Sequence, residues 1–447
     1  MNYAEALDFL AALGLEMWRA KLGLDAIATL LKALGEPQQK YPTAIVAGTN
    51  GKGSTSAILA SILQKAGYRT GLYTSPHLIR VNERIRVDDR EISDEDFARR
   101  LTEVREVAER LFAHRQLEHL PSFFEYLTAV AFWHFARAGV NFAVLEVGMG
   151  GRLDATNVTQ PRVALITPVD IDHAEYLGTT RAAIAAEKAG VIKPGQTVVS
   201  ACENPEAAAV IRRRCQECEA NLFETFRFAQ LSNLRHVEGQ YSFDISLNGD
   251  CLTGLTSPLR GRFQVTNAVT ALTAAYQLAQ QGFHISREAM MEGLRTASWP
   301  GRLEVLLPQP LVILDGAHNP AATREVAAFV RENLAGKVVR LIYASMRDKA
   351  IGEISRTLFP LAAEVYLSRP AIARAATAEE ILAAAEYQPR RVIIQPEPVR
   401  ALVEACQASA PEDVVLVTGS LYLAGTIKRA VLDGTLQLEK IARPAAG

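Results

Sequence analysis

The stretch Ala47-Gly48-Thr49-Asn50-Gly51-Lys52-Gly53-Ser54 is the most informative in the sequence, because it joins a β-branched apolar run to a helical stretch through a glycine-rich turn. The pattern predicts a strand over Thr43–Ala47 and a helix over Thr55–Ala66. Glycines let several backbone N–H groups face one anion, and the helix N-terminus adds its positive dipole end. Lys52 supplies a full charge, and the Ser54 hydroxyl is placed to bind a magnesium ion. The stretch therefore predicts a phosphate-binding loop.

The alternative interpretation of this stretch is an ordinary tight turn, because Asn and Gly are common turn residues. The usual nucleotide loop has Ser or Thr directly after the lysine, whereas Gly53 intervenes here and the spacing from the first glycine is shorter. The lysine, the hydroxyl and the strand-loop-helix context nevertheless coincide. Together they favour the phosphate loop over the plain turn.

Length and composition are typical of a soluble enzyme with two domains. The chain has 447 residues, of which 49% are hydrophobic, and this exceeds what one hydrophobic core usually serves. Lys and Arg number 48 and Asp and Glu number 49, which leaves a net charge of −1 with neutral histidines. No global field favours nucleic acid or an anionic membrane, so we expect neither as a partner.

The cysteines and the N-terminus indicate a cytoplasmic protein. An odd number of scattered cysteines argues for free thiols in a reducing compartment. Met1–Leu15 carries Glu5 and Asp8 and lacks the basic start and apolar centre of a signal peptide. Cys215 and Cys218 form a Cys-x-x-Cys motif without a second cysteine or histidine pair nearby, so we assign them no metal or redox role. We expect a monomer.

Apolar runs alternate with helical stretches through the first two thirds of the chain. Strands are predicted over Phe142–Val147, Val163–Thr167 and Thr197–Ser200, and helices over Asp94–Phe112 and Phe123–Ala138. This alternation predicts an α/β fold, with a mostly parallel sheet and helices on both of its faces.

Two later segments interrupt the alternation. Short alternating runs over Tyr241–Leu255 surround Asn248-Gly249-Asp250 and predict a β-hairpin. The break at Ser298-Trp299-Pro300-Gly301 predicts a boundary between a domain of residues 1–297 and a domain of residues 298–447. The second domain again alternates helices with buried strands, predicted at Val312–Leu314, Val338–Tyr343, Glu364–Leu367, Val392–Ile394 and Val414–Thr418.

Two polar clusters follow predicted strands and therefore fall on one edge of the sheet. Glu146 ends a strand just before a glycine-rich turn that continues through Arg152 and Asp154, and it is placed to reach a metal on bound phosphates. The alternative is a strand-end glutamate that faces solvent. His173 ends the segment Asp170-Ile171-Asp172-His173, and by residues alone it is equally a magnesium ligand or a loop histidine paired with the neighbouring aspartates.

The sequence Gly-Thr-Asn-Gly-Lys-Gly-Ser resembles the ATP loop of the Mur ligase superfamily, and within it the folylpolyglutamate and dihydrofolate synthases. Further family-like segments include Thr74-Ser75-Pro76-His77-Leu78 and Asp315-Gly316-Ala317-His318-Asn319-Pro320. The matches run from about residue 20 to residue 425. The resemblance implies a P-loop-type, mostly parallel sheet domain like the central Mur ligase domain. A smaller, Rossmann-like α/β domain follows it and completes the ATP and glutamate site.

The resemblance also implies roles for individual residues. Lys52, Lys188 and His173 correspond to catalytic positions, and Lys188 matches a lysine that is carbamylated in Mur-type ligases. Phe124 and Asp154 match substrate-binding positions, Asp154 through the pterin. The matching metal ligands are Ser54, Ser75, Glu146 and His173, and the matching ATP contacts are Gly48, Thr49, Asn50, Gly51, Lys52, Gly53, Ser54, Asn267, Arg302, Asp315 and His318. By residues alone, Lys188 is a solvated helix residue and Ser75 lies in a plain turn.

The function that the resemblance implies is ATP-dependent amide ligation. L-Glutamate would be added to dihydropteroate and to the glutamate tail of reduced folates through an acyl phosphate, with release of ADP and phosphate and with two magnesium ions. One alternative is an enzyme that only extends the tail. From another class, the alternatives are a P-loop phosphotransferase or ATPase, or a non-catalytic nucleotide-binding module. The segment Ala20–Ala26 departs from the family pattern near the pterin, so substrate detail is open there.

Overall fold

The computed structural model describes residues 1–14 and 23–437, which form two compact units. Of the described residues, unit 1 comprises 1–14, 23–234, 242–257 and 265–298. Unit 2 comprises residues 235–241, 258–264 and 299–437. The contacts thus group two short internal segments with unit 2, whereas the sequence predicts one cut at residues 297 and 298.

The regular elements alternate along most of the chain. The strands are β1 (Thr43–Ala47), β2 (Thr70–Tyr73), β3 (Ile85–Val87), β4 (Arg90–Glu91), β5 (Phe142–Glu146), β6 (Val163–Ile166), β7 (Thr197–Ser200), β8 (Asn221–Glu224), β9 (Ala229–Val237), β10 (Gln240–Leu247), β11 (Asp250–Ser257), β12 (Glu304–Pro308), β13 (Leu311–Leu314), β14 (Val339–Tyr343), β15 (Glu364–Leu367), β16 (Val392–Ile394) and β17 (Val414–Thr418). The helices are α1 (Tyr3–Ala12), α2 (Asp25–Ala33), α3 (Lys52–Lys65), α4 (Asp94–Ala113), α5 (Phe123–Arg137), α6 (Ala174–Leu177), α7 (Arg181–Ala189), α8 (Pro205–Glu217), α9 (Thr225–Phe228), α10 (Phe263–Gln280), α11 (Arg287–Thr296), α12 (Pro320–Asn333), α13 (Ile351–Leu358), α14 (Ala378–Ala384), α15 (Pro398–Gln407) and α16 (Leu421–Leu432).

Unit 1 is built on an eight-stranded sheet in the order β4-β3-β2-β5-β1-β6-β7-β8. Its pairs are parallel except β2 with β3 and β3 with β4, at one edge. Every residue of β1, β5 and β6 is buried, as expected for central parallel strands covered on both faces. This central position is why those strands read as continuous apolar runs in the sequence.

The strand order creates a divergence beside β1. The connection from β1 runs through α3 to β2 on one side, whereas the connection from β6, the other neighbour of β1, runs to β7 on the opposite side. In open α/β sheets, ligands bind beyond the carboxyl ends of strands at such a switch point. The predicted phosphate loop follows β1, and the segment Asp170–His173 follows β6.

A three-stranded sheet in the order β11-β10-β9 contains the predicted hairpin. The two residues between β10 and β11 are Asn248 and Gly249, with φ angles of 51° and 91°. Positive φ at both positions is what a two-residue hairpin turn of the primed type requires, and Asn-Gly supplies it at low cost.

Unit 2 contains a six-stranded sheet in the order β12-β13-β17-β14-β15-β16. Only the edge pair β12 and β13 is antiparallel. A buried cluster that includes Ile313, Leu341, Val365 and Leu416 packs the sheet against its helices. The predicted α/β class, a mostly parallel sheet domain with a smaller Rossmann-like domain, is confirmed.

The predicted strands β1, β7, β15, β16 and β17 have the observed bounds, and the other predicted elements differ by a few residues. The helix after the phosphate loop begins at Lys52 rather than Thr55, so the lysine lies in its first turn. In the part of the chain that the structure describes, no helix is long and apolar enough to cross a membrane. Cys215 and Cys218 are free, buried thiols within an apolar cluster around α7 and α8.

Candidate active site

The loop between β1 and α3 requires glycine at two positions. Gly48 has a φ of 147° and Gly51 a φ of 86°, in the left-handed region that favours glycine. A Cβ at Gly48 would lie 1.8 Å from Thr167 Oγ1, and one at Gly51 would lie 2.3 Å from Asn267 Oδ1. The loop backbone therefore packs directly against its neighbours. The same contact brings Asn267, from the distant helix α10, to the loop.

Thr49 fastens the loop to the segment that follows β6. Its backbone N–H donates to the Pro168 carbonyl oxygen at 3.0 Å. Its hydroxyl donates to the Asp170 carbonyl oxygen at 2.9 Å and accepts from the Asp170 N–H at 3.1 Å. The Asp170 carboxylate in turn pairs with Arg181, the first residue of α7. Thr49 thus orders the loop, and its predicted nucleotide contact stays a prediction.

Two lysines bind neighbouring carbonyl oxygens of this loop. Lys52 Nζ donates to the Thr49 oxygen at 3.1 Å, and Lys188 Nζ donates to the Gly48 oxygen at 2.6 Å. Lys188 is only 4% exposed, so the interpretation of it as a solvated helix residue is wrong. Burial, with a smaller contribution from the positive charge of Lys52, lowers the pKa of Lys188 to about 7. A neutral amine is therefore well populated near neutral pH.

The glycine-rich turn (residues 147–154) packs tightly on the end of α7 that carries Lys188. A Cβ at Gly151 would lie 2.8 Å from the Lys188 carbonyl oxygen, and one at Gly190 would lie 2.3 Å from the Arg152 side chain. The Arg152 N–H donates to the Glu187 carbonyl oxygen at 2.9 Å, and its guanidinium pairs with the Glu187 carboxylate. These contacts bring α7 and the turn together.

Asp154 holds the glycine-rich turn in shape. Its Oδ2 accepts from the N–H groups of Gly148 and Met149 at 2.9 and 3.1 Å, and its Oδ1 accepts from the N–H and hydroxyl of Thr156. Burial raises the pKa of Asp154, although these hydrogen bonds oppose the rise. Phe124, the other predicted substrate residue, packs on the same turn. A Cβ at Gly148 would lie 2.6 Å from Phe124 Cζ.

Glu146 and Ser75 meet at the carboxyl end of β5. Glu146 is 4% exposed, and its Oε2 accepts from the Ser75 N–H at 3.2 Å. The solvent-facing alternative for Glu146 is therefore wrong. The Ser75 hydroxyl is buried and finds no hydrogen-bond partner among the described residues. A buried hydroxyl without a partner, next to a carboxylate, suits a hard cation such as Mg²⁺.

A cleft of about 290 Å³, its open mouth included, lies where these loops converge. We call it the phosphate cleft; its lining residues are Gly48, Thr49, Lys52, Val147, Gly148, Met149, Gly150, Asp172, His173 and Lys188. The structure thus brings together the predicted residues Lys52, His173 and Lys188. His173 has a φ of 51°, and its ring Nε2 lies 3.9 Å from Asp172 Oδ2.

The predicted metal ligands are distributed around this cleft. His173 lines it, whereas Ser54, Glu146 and the Ser75 hydroxyl are buried outside its lining. In residues 1–14 and 23–437, no group of three or more His, Cys, Asp or Glu side chains is arranged to hold a metal ion. Mg²⁺ would therefore also need oxygen ligands from hydroxyl groups and from water or phosphate. This agrees with the waters and phosphates that Mg²⁺ usually keeps.

The predicted nucleotide residues of unit 2 form a compact network. Asp315 follows β13, is buried, and accepts from the N–H groups of Leu303 and Ala317 at 2.9 and 2.7 Å. Burial raises the pKa of Asp315, and the nearby Arg302 charge opposes the rise. Arg302 Nη1 donates to the Gly301 carbonyl oxygen at 2.9 Å. His318 Nδ1 lies 2.9 Å from the Gly316 carbonyl oxygen.

Sequence reasoning missed several residues of the site. Thr167 supports Gly48, and Asp172, Met149 and Gly150 line the phosphate cleft. Asp172 adjoins the predicted His173, and Met149 and Gly150 lie in the glycine-rich turn after Glu146, so their neighbours gave a signal. No local sequence pattern marks Thr167, because its contact with Gly48 arises from the pairing of β6 with β1. Of the segment Ala20–Ala26, residues 20–22 lie outside the described part of the chain.

Comparisons with known protein families match both parts of the chain. Residues 46–275 match the Mur ligase middle domain, and residues 301–421 match the Mur ligase, glutamate ligase domain. The first match alone covers half of the chain. Both matched ranges include predicted site residues.

Similar proteins carry specific activity names. The dihydrofolate synthase/folylpolyglutamate synthase of Bacillus subtilis is 35% identical over 92% of this chain and 95% of its own length. The folylpolyglutamate synthase of Lacticaseibacillus casei is 33% identical over 97% of this chain and 100% of its own length. A solved structure of Escherichia coli FolC in complex with DHPP and ADP is 30% identical, covers 98% of this chain and all of that chain, and has a TM-score of 0.86.

Proposed function

Because the chain belongs to the Mur ligase family, we propose that it is an ATP-dependent ligase of folate metabolism. It adds L-glutamate to dihydropteroate and to the glutamate tail of reduced folates. The phosphate cleft is the single observation that carries this proposal. In this cleft, Lys52, the phosphate loop, His173 and the buried Lys188 lie together at the switch point of a parallel sheet.

The chemistry begins by activating a carboxylate, which is otherwise a poor electrophile. A carboxylate oxygen of the acceptor attacks the γ-phosphorus of ATP, an acyl phosphate forms, and ADP leaves. The amine of L-glutamate then attacks the acyl carbon, an amide forms, and phosphate leaves. The site's contribution is mainly positioning and stabilisation of charge.

The phosphate loop would bind the polyphosphate in the first step. Its backbone N–H groups and the start of α3 offer an anion site, as at other helix N-termini beside glycine-rich loops. Lys52, in the first turn of α3, adds a positive charge at the transferred group. We assign the loop residues Gly48, Thr49, Asn50, Gly51, Gly53 and Ser54 to this site.

The residues around the cleft fit magnesium, and Ser54, Ser75, Glu146 and His173 would hold it. When bound, magnesium neutralises charge on the phosphates. Lys188 Nζ is buried and has a pKa of about 7, so its neutral amine can attack carbon dioxide, form an N–C bond and release a proton. We propose that the resulting carbamate completes the oxygen ligands.

The remaining predicted residues would bind the nucleotide and the acceptor. Asn267 packs on the phosphate loop. We assign Arg302, Asp315 and His318 to nucleotide contacts on the basis of the family resemblance and of the local network that orders them. Phe124 and Asp154 would bind the acceptor beside the glycine-rich turn.

A second candidate is an enzyme that only extends the glutamate tail. The Lacticaseibacillus casei relative carries that narrower name at 33% identity, close to the 35% of the relative that carries both names. We favour both activities because Phe124 and Asp154 are both present at the turn. We further propose a monomer in the cytoplasm, and its free thiols support that compartment.

The test incubates the protein with Mg-ATP and L-glutamate, together with either dihydropteroate or a reduced monoglutamyl folate. Products are identified by mass, and ADP release is followed in parallel. Glutamate added to both acceptors supports both activities, and addition to the folate alone supports the narrower candidate. ADP release without either amide contradicts the proposal and favours a phosphotransferase or ATPase.

A further inference from the structure

Gly148 lies between the phosphate cleft and the Phe124 ring, and the ligase chemistry does not by itself require a glycine there. It lines the phosphate cleft together with Lys52, His173 and Lys188. The position that a Cβ would take at Gly148 is instead filled by an aromatic ring, because such a Cβ would lie 2.6 Å from Cζ and 2.8 Å from Cε2 of Phe124. Real Cβ atoms do not approach ring carbons so closely. The residue thus joins the cleft to the ring.

The backbone of Gly148 does not itself need glycine. Its φ lies outside the left-handed region, in contrast to the neighbouring Gly150 with a φ of 67°. A substitution at Gly148 therefore acts through the space its side chain fills, and a substitution at Gly150 acts through backbone strain as well. This difference lets the ring contact be tested separately.

The turn cannot move aside for a side chain at Gly148. The N–H groups of Gly148 and Met149 both donate to Oδ2 of the buried Asp154. A Cβ at Gly148 would also lie 3.3 Å from that oxygen. Relief of the collision by movement of the turn would break hydrogen bonds to a buried carboxylate, which is costly. The Phe124 ring must therefore be the part that moves.

The ring is held from its other side as well. Phe124 packs against Tyr73, with ring centroids 6.0 Å apart. The Tyr73 hydroxyl lies 3.1 Å from Thr128 Oγ1. The Thr128 hydroxyl donates to the Phe124 carbonyl oxygen at 2.8 Å. The ring is thus fixed between Tyr73 and the turn. It remains partly exposed at the carboxyl edge of the sheet, where a flat heteroaromatic acceptor can stack on it.

We propose that Gly148 is a positioning residue for the acceptor, an inference that rests on the proposed function. The missing side chain lets the Phe124 ring lie against the turn. That ring position sets where the aromatic part of the acceptor binds, and therefore how far its carboxylate stands from the phosphate cleft. Dihydropteroate and reduced folates share the pyrimidinone ring of the pterin and the aminobenzoate ring, so both depend on Gly148.

The first test is Gly148→Ala with both acceptors. The KM for each acceptor should rise about tenfold or more, as expected when a fitted apolar contact is displaced. The KM for ATP and the KM for L-glutamate should change less than about twofold, because the loop and the lysines are untouched. A general loss of folding would instead lower the apparent kcat for both acceptors without a selective change in acceptor KM, and circular dichroism reports it separately.

Phe124→Tyr provides a second variant that leaves the turn unchanged. It adds an oxygen to Cζ, the ring atom nearest the Cβ position at Gly148. The ring should be displaced, and both acceptor KM values should rise as they do for Gly148→Ala. This variant decides the matter if Gly148→Ala does not fold.

A double-mutant cycle isolates the contact. In a Phe124→Ala background, Gly148→Ala should change acceptor KM less than about twofold, since no ring remains to be displaced. Equal effects of Gly148→Ala in the wild-type and Phe124→Ala backgrounds would overturn the inference. Wild-type acceptor KM values in both Gly148→Ala and Phe124→Tyr would overturn it as well. A wild-type protein that ligates neither acceptor would contradict the proposed function itself, and with it the role of Gly148.

Discussion

The carboxyl edges of the two parallel sheets gather polar residues in opposite ways. At the edge in unit 1, Lys52 and Lys188 donate to backbone carbonyl oxygens of one loop and line an open cleft. At the edge in unit 2, Asp315 accepts two backbone N–H groups of its surroundings and lies near Arg302. Sheet topology decides where polar residues collect. Whether they line an open cleft or close a network depends on the local sequence.

Glycine accounts for much of this difference. In unit 1, Gly48 and Gly51 let the loop backbone approach Thr167 and Asn267 closely, and Gly48 lines the cleft without adding a side chain to it. In unit 2, Gly316 packs against Leu421 and the Arg302 guanidinium, so the corresponding turn is filled. The first edge is therefore suited to hold an anion, and the second to present a pre-ordered loop.

The largest effect should come from removing the charge at the open edge. Lys52→Met should lower the kcat/KM for ligation about 10³-fold, because a preorganised positive charge at the transferred phosphoryl group is lost. Coupled measurement of ADP release gives the rate. Lys65→Met, at the far end of the same helix and exposed, is the matched control and should retain activity. A loss below about tenfold for Lys52→Met would mean that the cleft does not carry phosphoryl transfer.

Lys188 should leave a signature in the pH dependence of stability. Its pKa is about 7 in the folded protein and returns towards 10.5 on unfolding, so between these values the unfolded chain binds one more proton. The free energy of unfolding of the wild type should then rise with pH, by about 1.4 kcal/mol per pH unit relative to Lys188→Met. Below about pH 7 the difference should be constant.

Urea denaturation in carbonate-free buffers at several pH values from 6 to about 10 measures this slope. The exposed Lys32→Met serves as the control, and its difference from wild type should not vary with pH in this way. Parallel curves for wild type and Lys188→Met would show that the amine is not held neutral by burial, and would remove the basis for its reaction with carbon dioxide.

A smaller effect is expected at the closed edge. Asp315→Asn should lower the free energy of unfolding by about 1–3 kcal/mol, because an amide can accept from only one of the two buried N–H groups without presenting a donor to the other. Denaturant titration measures it, with Asp348→Asn at an exposed site of the same unit as control. An unchanged free energy of unfolding would contradict the picture of a closed, mutually supporting network.

The smallest effect should come from the ion pair of Arg181, which lies at the carboxyl edge of the unit 1 sheet but outside the lining of the phosphate cleft. Arg181 pairs with Asp170, but its side chain is 37% exposed. Arg181→Ala should cost less than about 1 kcal/mol of stability, and the cost should shrink further at high salt. Thermal melts at two salt concentrations test this. A salt-independent loss of more than about 2 kcal/mol in the free energy of unfolding would mean that this pair stabilises the fold. The edge in unit 1 would then depend on its polar contacts for stability, as the network in unit 2 does.

The sequence predicts the central elements of the fold well, because their patterns are local. β1 and β7 have the predicted bounds, since a parallel strand buried along most or all of its length reads as an apolar run between turn signals. The antiparallel edge strand β12, Glu304–Pro308, was not predicted, because a proline and a partly exposed pattern hide it. Neither α1 nor α2 is predicted from the sequence.

The candidate site divides in the same way. Glu146 and His173 could be found from their place after strands, because topology fixes that edge. The burial of Lys188 could not, since α7 looks like a surface helix, and the lysine is covered where α7 meets the glycine-rich turn and the phosphate loop. The contact of Asn267 with Gly51 joins residues more than 200 positions apart, so no local pattern could reveal it.

The division of the chain between its units has a consequence for how this protein can be recombined. The chain passes between the units at residues 234/235, 241/242, 257/258, 264/265 and 298/299. Gly239 packs on Phe329, and Gly261 on Leu303, both in the core of unit 2. A gene segment that begins at Trp299 would therefore encode that core without part of its cover. An exchange of C-terminal halves between relatives, in evolution or in the laboratory, should succeed only when the two internal segments come from the same parent.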